Sequence, residues 1–241
     1  MYPTASKDPR GGHNRSQVNQ NFFQSWSPQM AYVLGFILAD GAIEDVQKSS
    51  RTCYTSMVSK DLSILNKIRQ AMGSYHNIYK RIPKLLTFPN GKQYLPSIIF
   101  YLRIGSKLMY NDLLTLGVTP RKSLTISFPS ILQEYLPFLV RGYFDGDGCI
   151  YMIKGKYPRI VFTSGSIKFL EGLARNLGKA LKIPLKSIYL THTNTINPCY
   201  QLQYNTTRSR VILEFMYKDL EKAPYLDRKF AIYQKYLQSL N

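Results

Sequence analysis

Apolar residues recur at helical spacing across residues 29–40, immediately after Ser27-Pro28, a pair suited to capping and opening a helix. A second such stretch, residues 61–72, places Leu62, Leu65, Ile68 and Met72 on one side and meets Gly73 where a helix stop is expected. Elsewhere the period is two. Residues 97–104 alternate, with Ile98, Phe100, Leu102 and Ile104 on one face and Tyr101 and Arg103 on the other. Residues 200–205 do the same, setting Tyr200, Leu202 and Tyr204 opposite Gln201, Gln203 and Asn205. Asn90-Gly91 predicts a tight turn. Helical and alternating segments in one chain predict an α+β fold.

The pattern occurs twice. Val-Leu-Gly-Phe-Ile-Leu-Ala-Asp-Gly at 33–41 reappears as Val-Arg-Gly-Tyr-Phe-Asp-Gly-Asp-Gly at 140–148, 107 positions later. The spacing of Leu62, Ile64, Leu65, Ile68, Met72 and Gly73 reappears at an offset of 105 in Ile167, Phe169, Leu170, Leu173, Leu177 and Gly178. Arg121-Lys122 returns as Arg228-Lys229, again after 107. Three echoes in one order predict a tandem repeat of a single unit: helix, two strands, helix, two strands, helix. The expected organisation is a polar N-terminal arm (1–27), a first repeat (28–130) and a second repeat (131–241).

Composition narrows the function. With 44% apolar residues in 241, the chain is no largely disordered protein. Its 32 Lys+Arg against 14 Asp+Glu leave a net charge of +18, spread evenly over the two repeats, which points to a polyanionic partner and first to nucleic acid. The competing reading is a basic organellar or ribosome-associated protein without a defined site. Cys53, Cys149 and Cys199 are odd in number and scattered, so they read as reduced thiols of an intracellular protein. His13, His76 and His192 lack metal-ligand spacing, which excludes a zinc finger. No apolar run is long enough to span a membrane, and residues 1–27 lack the apolar core of a secretory signal; they read as an arm or a transit sequence.

A strand face bearing Arg, Gln, Asn and Tyr is either a solvated surface or one that reads base edges, and the charge surplus favours the second. The candidate DNA contacts are Lys80, Arg81, Arg103, Lys154, Lys156, Arg159, Gln201 and Gln203.

The duplicated helices carry the candidate chemistry. Gly35 and Ala39, like Gly142 and Gly146, lie four apart on one helical face, where small residues let two backbones approach closely. Each face ends in Asp-Gly: Asp40-Gly41 and Asp147-Gly148. A carboxylate at a helix C-terminus opposes the helix dipole at a cost of about 0.3–1 kcal/mol. Placing two there calls for an offsetting charge, and divalent cations between the helix ends supply one. A calcium-loop reading of the second segment fails because its twelfth position is Lys156.

With these residues in place, the chain from about position 29 onward resembles the single-chain, two-motif LAGLIDADG homing endonucleases. The resemblance implies tandem αββαββα units related by a pseudo-two-fold axis, with the signature helices packed at the centre. Two antiparallel sheets would form a DNA-binding saddle. It implies that Asp40 and Asp147 hold the metal, assisted by the carbonyls of Ala39 and Gly146. Lys122 and Lys229 fall where the family carries a basic residue near the active-site water, with Lys60 a weaker parallel whose counterpart would be Ser164 or Gly165. The implied activity is a double-strand break by metal-dependent phosphodiester hydrolysis at a long, asymmetric target. Mg2+ would be the cofactor, Mn2+ a substitute and Ca2+ a non-productive one. The implied protein is a free-standing or intron-encoded monomer acting on double-stranded DNA. The alternative on the same fold is a maturase-like RNA-splicing helper, with host intron RNA as partner, or a non-cleaving DNA-binding protein; retention of both acids favours the nuclease. Two positions depart from the pattern. The sixth signature residue is Leu38 in one helix and Asp145 in the other, and the second is Leu34 and Arg141.

Overall fold

The computed structural model describes residues 16–45, 53–191 and 197–240. The first repeat runs α1 (Pro28–Asp40), β1 (Gly41–Ile43), β2 (Tyr54–Ser59), α2 (Leu62–Ala71), β3 (Ile78–Arg81), a small hairpin of β4 (Leu86–Thr87) and β5 (Gln93–Tyr94), β6 (Ile99–Gly105) and α3 (Lys107–Thr115). The second runs α4 (Leu136–Asp147), β7 (Gly148–Ile153), β8 (Tyr157–Ser164), α5 (Ile167–Leu181), β9 (Ile188–Leu190), β10 (Tyr200–Tyr204), α6 (Thr206–Tyr217) and α7 (Asp227–Gln238). The two antiparallel sheets have the orders β1-β2-β6-β3 and β7-β8-β10-β9, so the duplication read from sequence is a duplication of topology. Two additions break the expected αββαββα symmetry. The β4–β5 hairpin, turned at Asn90-Gly91 with Gly91 at φ 76°, lengthens the first unit, and α7 extends the second.

Local chemistry sets the boundaries. Ser27 Oγ accepts the Met30 N–H and Pro28 opens α1. Asn205, expected on the outer face of a strand, instead caps α6 by accepting the Arg208 N–H. Ile98 lies just outside β6 and is exposed, whereas Leu102 and Ile104 are buried as their alternation demands.

Residues 16–27 do not behave as a polar arm. Phe22 and Phe23 are buried, Trp26 stacks on Tyr135, and backbone bonds join Asn19 to Met72 and Tyr75 to Gln17. The physical reason is the apolar Phe-Phe pair, which has a core to enter. The arm's residues 1–15 lie outside the described residues, as do His13 and His192. Among the described residues, no helix is long and apolar enough to cross a membrane.

The centre of the molecule is the α1–α4 crossing. A Cβ added to Gly35 would lie 2.1 Å from the Leu139 carbonyl oxygen, and one added to Gly142 would lie 2.0 Å from that of Tyr32. Backbone thus meets backbone at both glycines, as the small-residue faces predict. Around this crossing the buried residues of both repeats form one continuous core.

Candidate active site

Close packing of α1 on α4 carries their C-termini together. A Cβ on Gly146 would sit 2.4 Å from the Ala39 side chain and 3.4 Å from Asp40 Oδ2. The last residues of the two helices, Asp40 and Asp147, therefore meet at one point, where each chain turns directly into the first strand of its sheet. Both side chains reach solvent, yet protein surrounds them densely enough that desolvation dominates their titration. Burial raises Asp40, opposed by the positive charges of Lys229, Lys122 and Arg228. Asp147 is pushed up to about 6, first by burial and then by the negative charge of Asp40, with Lys122 and Lys229 opposing.

Lys122 and Lys229 are buried beside the acids. Lys122 belongs to a 3₁₀ turn (Lys122–Leu124) and donates to the carbonyls of Leu38 (2.8 Å) and Ala39 (3.3 Å). Lys229, in the first turn of α7, donates to the carbonyls of Phe144, Asp145 (2.9 Å) and Gly148 (2.6 Å). Each ammonium thus adds donors to the carbonyls at a helix end, where α1 and α4 run out of intrahelical partners, although the Phe144 carbonyl also accepts the Gly148 N–H. Desolvation lowers both lysines to about 8, against the pull of the neighbouring acids. The lysines' engagement with backbone carbonyls was not foreseen.

Among the described residues, no group of three or more His, Cys, Asp or Glu side chains clusters as a metal site. The oxygen donors at the junction are two carboxylates and the helix-end carbonyls of Ala39 and Gly146, the former shared with Lys122. Hard oxygens, with two desolvated and mutually repelling carboxylates, fit a Mg2+-type ion that keeps several of its waters. Lys60 is exposed just after β2, away from these donors in sequence, and its counterpart Ser164 is a buried strand end.

The pKa directions give a testable consequence. A carboxyl whose pKa is higher folded than unfolded stabilises the fold in its protonated form. The contribution of Asp147 is therefore fully present below about pH 4 and lost as pH rises through about 6. Asp147→Asn raises the Tm of the metal-free protein at about pH 7, and its advantage over the wild type closes as pH falls to about 4. Thermal unfolding of both proteins across that range, with chelator present, measures the gap.

Strand register sorts the candidate DNA contacts. In the first sheet, Tyr79 faces Tyr101 and Arg81 faces Ile99, so Arg81 shares the outer face with Tyr101 and Arg103. Lys80 pairs with Phe100 and alternates to the helix side, although it is exposed at the sheet edge. Arg103 makes two 2.8 Å bonds to Glu44 and lies 3.6 Å over the Tyr54 ring, which fixes its guanidinium on the sheet. In the second sheet, Arg159 lies opposite Tyr151, and Gln201 and Gln203 lie opposite Thr163 and Val161. Gln203 donates to the Tyr151 hydroxyl at 2.7 Å. Lys154 and Lys156 flank Gly155 at the β7–β8 turn, Lys154 with a positive φ of 50°. The outer face also carries Tyr79, Tyr151 and Tyr189, absent from the sequence-based set; the period of two in their strands could have found them.

Two central helices, each delivering one acid between paired antiparallel sheets, give the architecture that the resemblance to LAGLIDADG homing endonucleases implies. Residues 135–214, the core of the second repeat, match the family described as a LAGLIDADG-like domain. The fold resembles that of the homing endonuclease I-WcaI bound to its DNA recognition sequence: TM-score 0.53 and 14% identity, over 81% of this chain and 85% of that one. It also resembles the K262A mutant of I-SmaMI, with a TM-score of 0.50 and 15% identity over 88% and 90% of the two chains. Full-length DUF199/WhiA from Thermatoga maritima matches at a TM-score of 0.49 and 13% identity, over 92% of this chain and 65% of that one. No curated protein sequence gives a significant match. Residues 135–214 thus carry a LAGLIDADG-like domain, and the fold of the chain as a whole is similar to those of the homing endonucleases I-WcaI and I-SmaMI.

Proposed function

We propose that this protein is a divalent-metal-dependent DNA endonuclease that cuts both strands of a long, asymmetric site. The observation that carries the reading is the meeting of Asp40 and Asp147, one from each repeat, at the junction of two basic, antiparallel sheets. DNA as the partner is supported by the +18 charge and by the fold shared with a protein solved on its DNA recognition sequence. Asp40 and Asp147, with the carbonyls of Ala39 and Gly146, would hold Mg2+ or Mn2+, while Ca2+ would bind without turnover. The metal's chemistry is to lower the pKa of a bound water and to stabilise the leaving 3′-oxygen. The chain supplies the rest. Arg81, Arg159, Gln201 and Gln203 on the outer faces, and Lys154 and Lys156 at the turn, orient the duplex. Lys122 and Lys229 hold the two helix ends in register with each other and place positive charge beside the phosphate. Because the two repeats present different outer residues, a single chain reads an asymmetric site without a dimer. An intron-encoded origin follows from the same reading.

A duplex site selected from a randomised library tests this. The expected result is linear product from a plasmid carrying that site in Mg2+, and none in chelator. Tight RNA binding without cutting of any selected site would favour the maturase-like alternative. Affinity for the selected duplex should fall steeply with salt, with a log–log slope of roughly −0.9 per neutralised phosphate, measured by titration at several ionic strengths.

A further inference from the structure

Two charged residues on α4 point away from the acid pair and remain unexplained by the chemistry above. Arg141 is fully buried, and Asp145 is 2% exposed. Burying a charge is costly unless its hydrogen bonds are met, so the partners of these two groups reveal what they do. Asp145 Oδ2 accepts from the Tyr32 hydroxyl of α1 (2.7 Å) and from the Leu226 N–H (2.8 Å). Arg141 donates to the carbonyls of Met216 (2.9 Å), Ala223 (2.9 Å) and, more distantly, Asp219 (3.4 Å). One bond from each meets on residues 223–226, the segment that leads into α7: Arg141 donates to the Ala223 carbonyl, and Asp145 accepts the Leu226 N–H. The other Arg141 bonds hold the end of α6 and the residues just after it. One helical turn beyond the end of the 223–226 segment stands Lys229, whose N–H bonds back to the Leu226 carbonyl.

The first repeat grips the same segment from outside. Lys67 of α2 donates to the Tyr225 carbonyl (3.0 Å), pairs with Asp227 (2.5 Å) and lies over the Tyr225 ring, while Arg228 pairs with Asp61 at 2.8 Å. Arg121, the residue before Lys122, pairs with Asp45 at 3.9 Å much as Arg228 pairs with Asp61, but α1 offers Lys122 no buried charged pair. The positions matching Arg141 and Asp145 are Leu34 and Leu38, and Lys122 sits on a 3₁₀ turn entered through Arg121 at φ 56°.

We infer that Arg141 and Asp145 are positioning residues: they fasten residues 223–229 as a strap that sets the Lys229 ammonium at the end of α4. The two lysines thus reach matching places by different means, and only Lys229 depends on the strap. That Lys229 serves strand cleavage rests on the nuclease reading, whereas its placement by the strap does not.

Lysine labelling of the full chain separates the two. Reductive methylation read by mass spectrometry reports the exposure of each ammonium, and Asp145→Asn, which removes the same charge as Asp145→Leu, controls for basicity. Asp145→Leu, which installs the residue found at position 38, should speed labelling of Lys229 about tenfold or more by local opening while Lys122 stays protected. Asp145→Asn keeps an acceptor for Leu226 and should restore protection. Lys67→Met, a change on the partly exposed side of the strap, should raise Lys229 labelling in the same selective way by a smaller factor. On a selected duplex with each strand end-labelled, Asp145→Leu should slow the strand that Lys229→Met slows, leaving the ratio opposite to that of Lys122→Met. Lys229 protected in Asp145→Leu and Lys67→Met alike, or Lys122 exposed in parallel with it in both, would overturn the strap. Selective labelling with no cleavage by any protein would retain the strap and remove only the nuclease reading.

Discussion

Gly142→Ala lowers the unfolding free energy by at least about 3 kcal/mol, the upper range for overpacking. The new methyl would lie 2.0 Å from the Tyr32 carbonyl oxygen and 3.0 Å from the Phe36 amide nitrogen, and backbone atoms cannot rotate aside as a flexible side chain can. Relief requires α1 and α4 to separate. That exposes part of the shared core and moves Asp40 away from Asp147, so stability and cleavage fall together. Gly35→Ala, which meets the Leu139 carbonyl from the other side, should behave alike. By contrast, Gly155→Ala at the β7–β8 turn meets nothing within 4 Å and should cost only the strain of its positive φ of 69°. Urea unfolding of the three variants gives the comparison.

Asp40→Asn and Asp147→Asn are each expected to lower the double-strand cleavage rate about a thousandfold, in the range seen when a preorganised electrostatic group is removed. Affinity for the duplex should hold or rise, because a negative charge facing phosphate is gone. The opposite movement of rate and affinity distinguishes these variants from Gly142→Ala. Single-turnover cleavage and equilibrium binding on one selected duplex measure both.

The central architecture was legible because its cause is local and repeated. Gly35 and Gly142, four residues ahead of Ala39 and Gly146, permit a close backbone contact between the helices, and Asp40 and Asp147 are the residues that follow each small-residue face. Strand parity was legible in residues 200–204, where Leu202 and Tyr204 are buried as their alternation requires. What was hidden depends on distant partners. Arg141 and Asp145 stand out as charges in an apolar helix, but their partners are mostly backbone groups more than 70 residues further on, which carry no side-chain signature. Helix α7 was missed because the repeat led to an expectation of symmetry, while the first unit ends in a 3₁₀ turn at the matching place. Grouping Lys80 with Arg81 overlooked that neighbours in a strand face opposite ways. The polar-arm reading passed over Phe22, Phe23 and Trp26, whose apolar surface has no reason to stay in water when a core lies adjacent.

The central claim is that the two acids act as one unit, and a double-mutant cycle on cleavage tests it most directly. If Asp40 and Asp147 work at a shared centre, the variant carrying both asparagines cuts no more slowly than either single variant, because the first substitution already disables the unit. Losses that multiply would mean two sites working independently, and undiminished cutting by the double variant would place the chemistry elsewhere in the molecule.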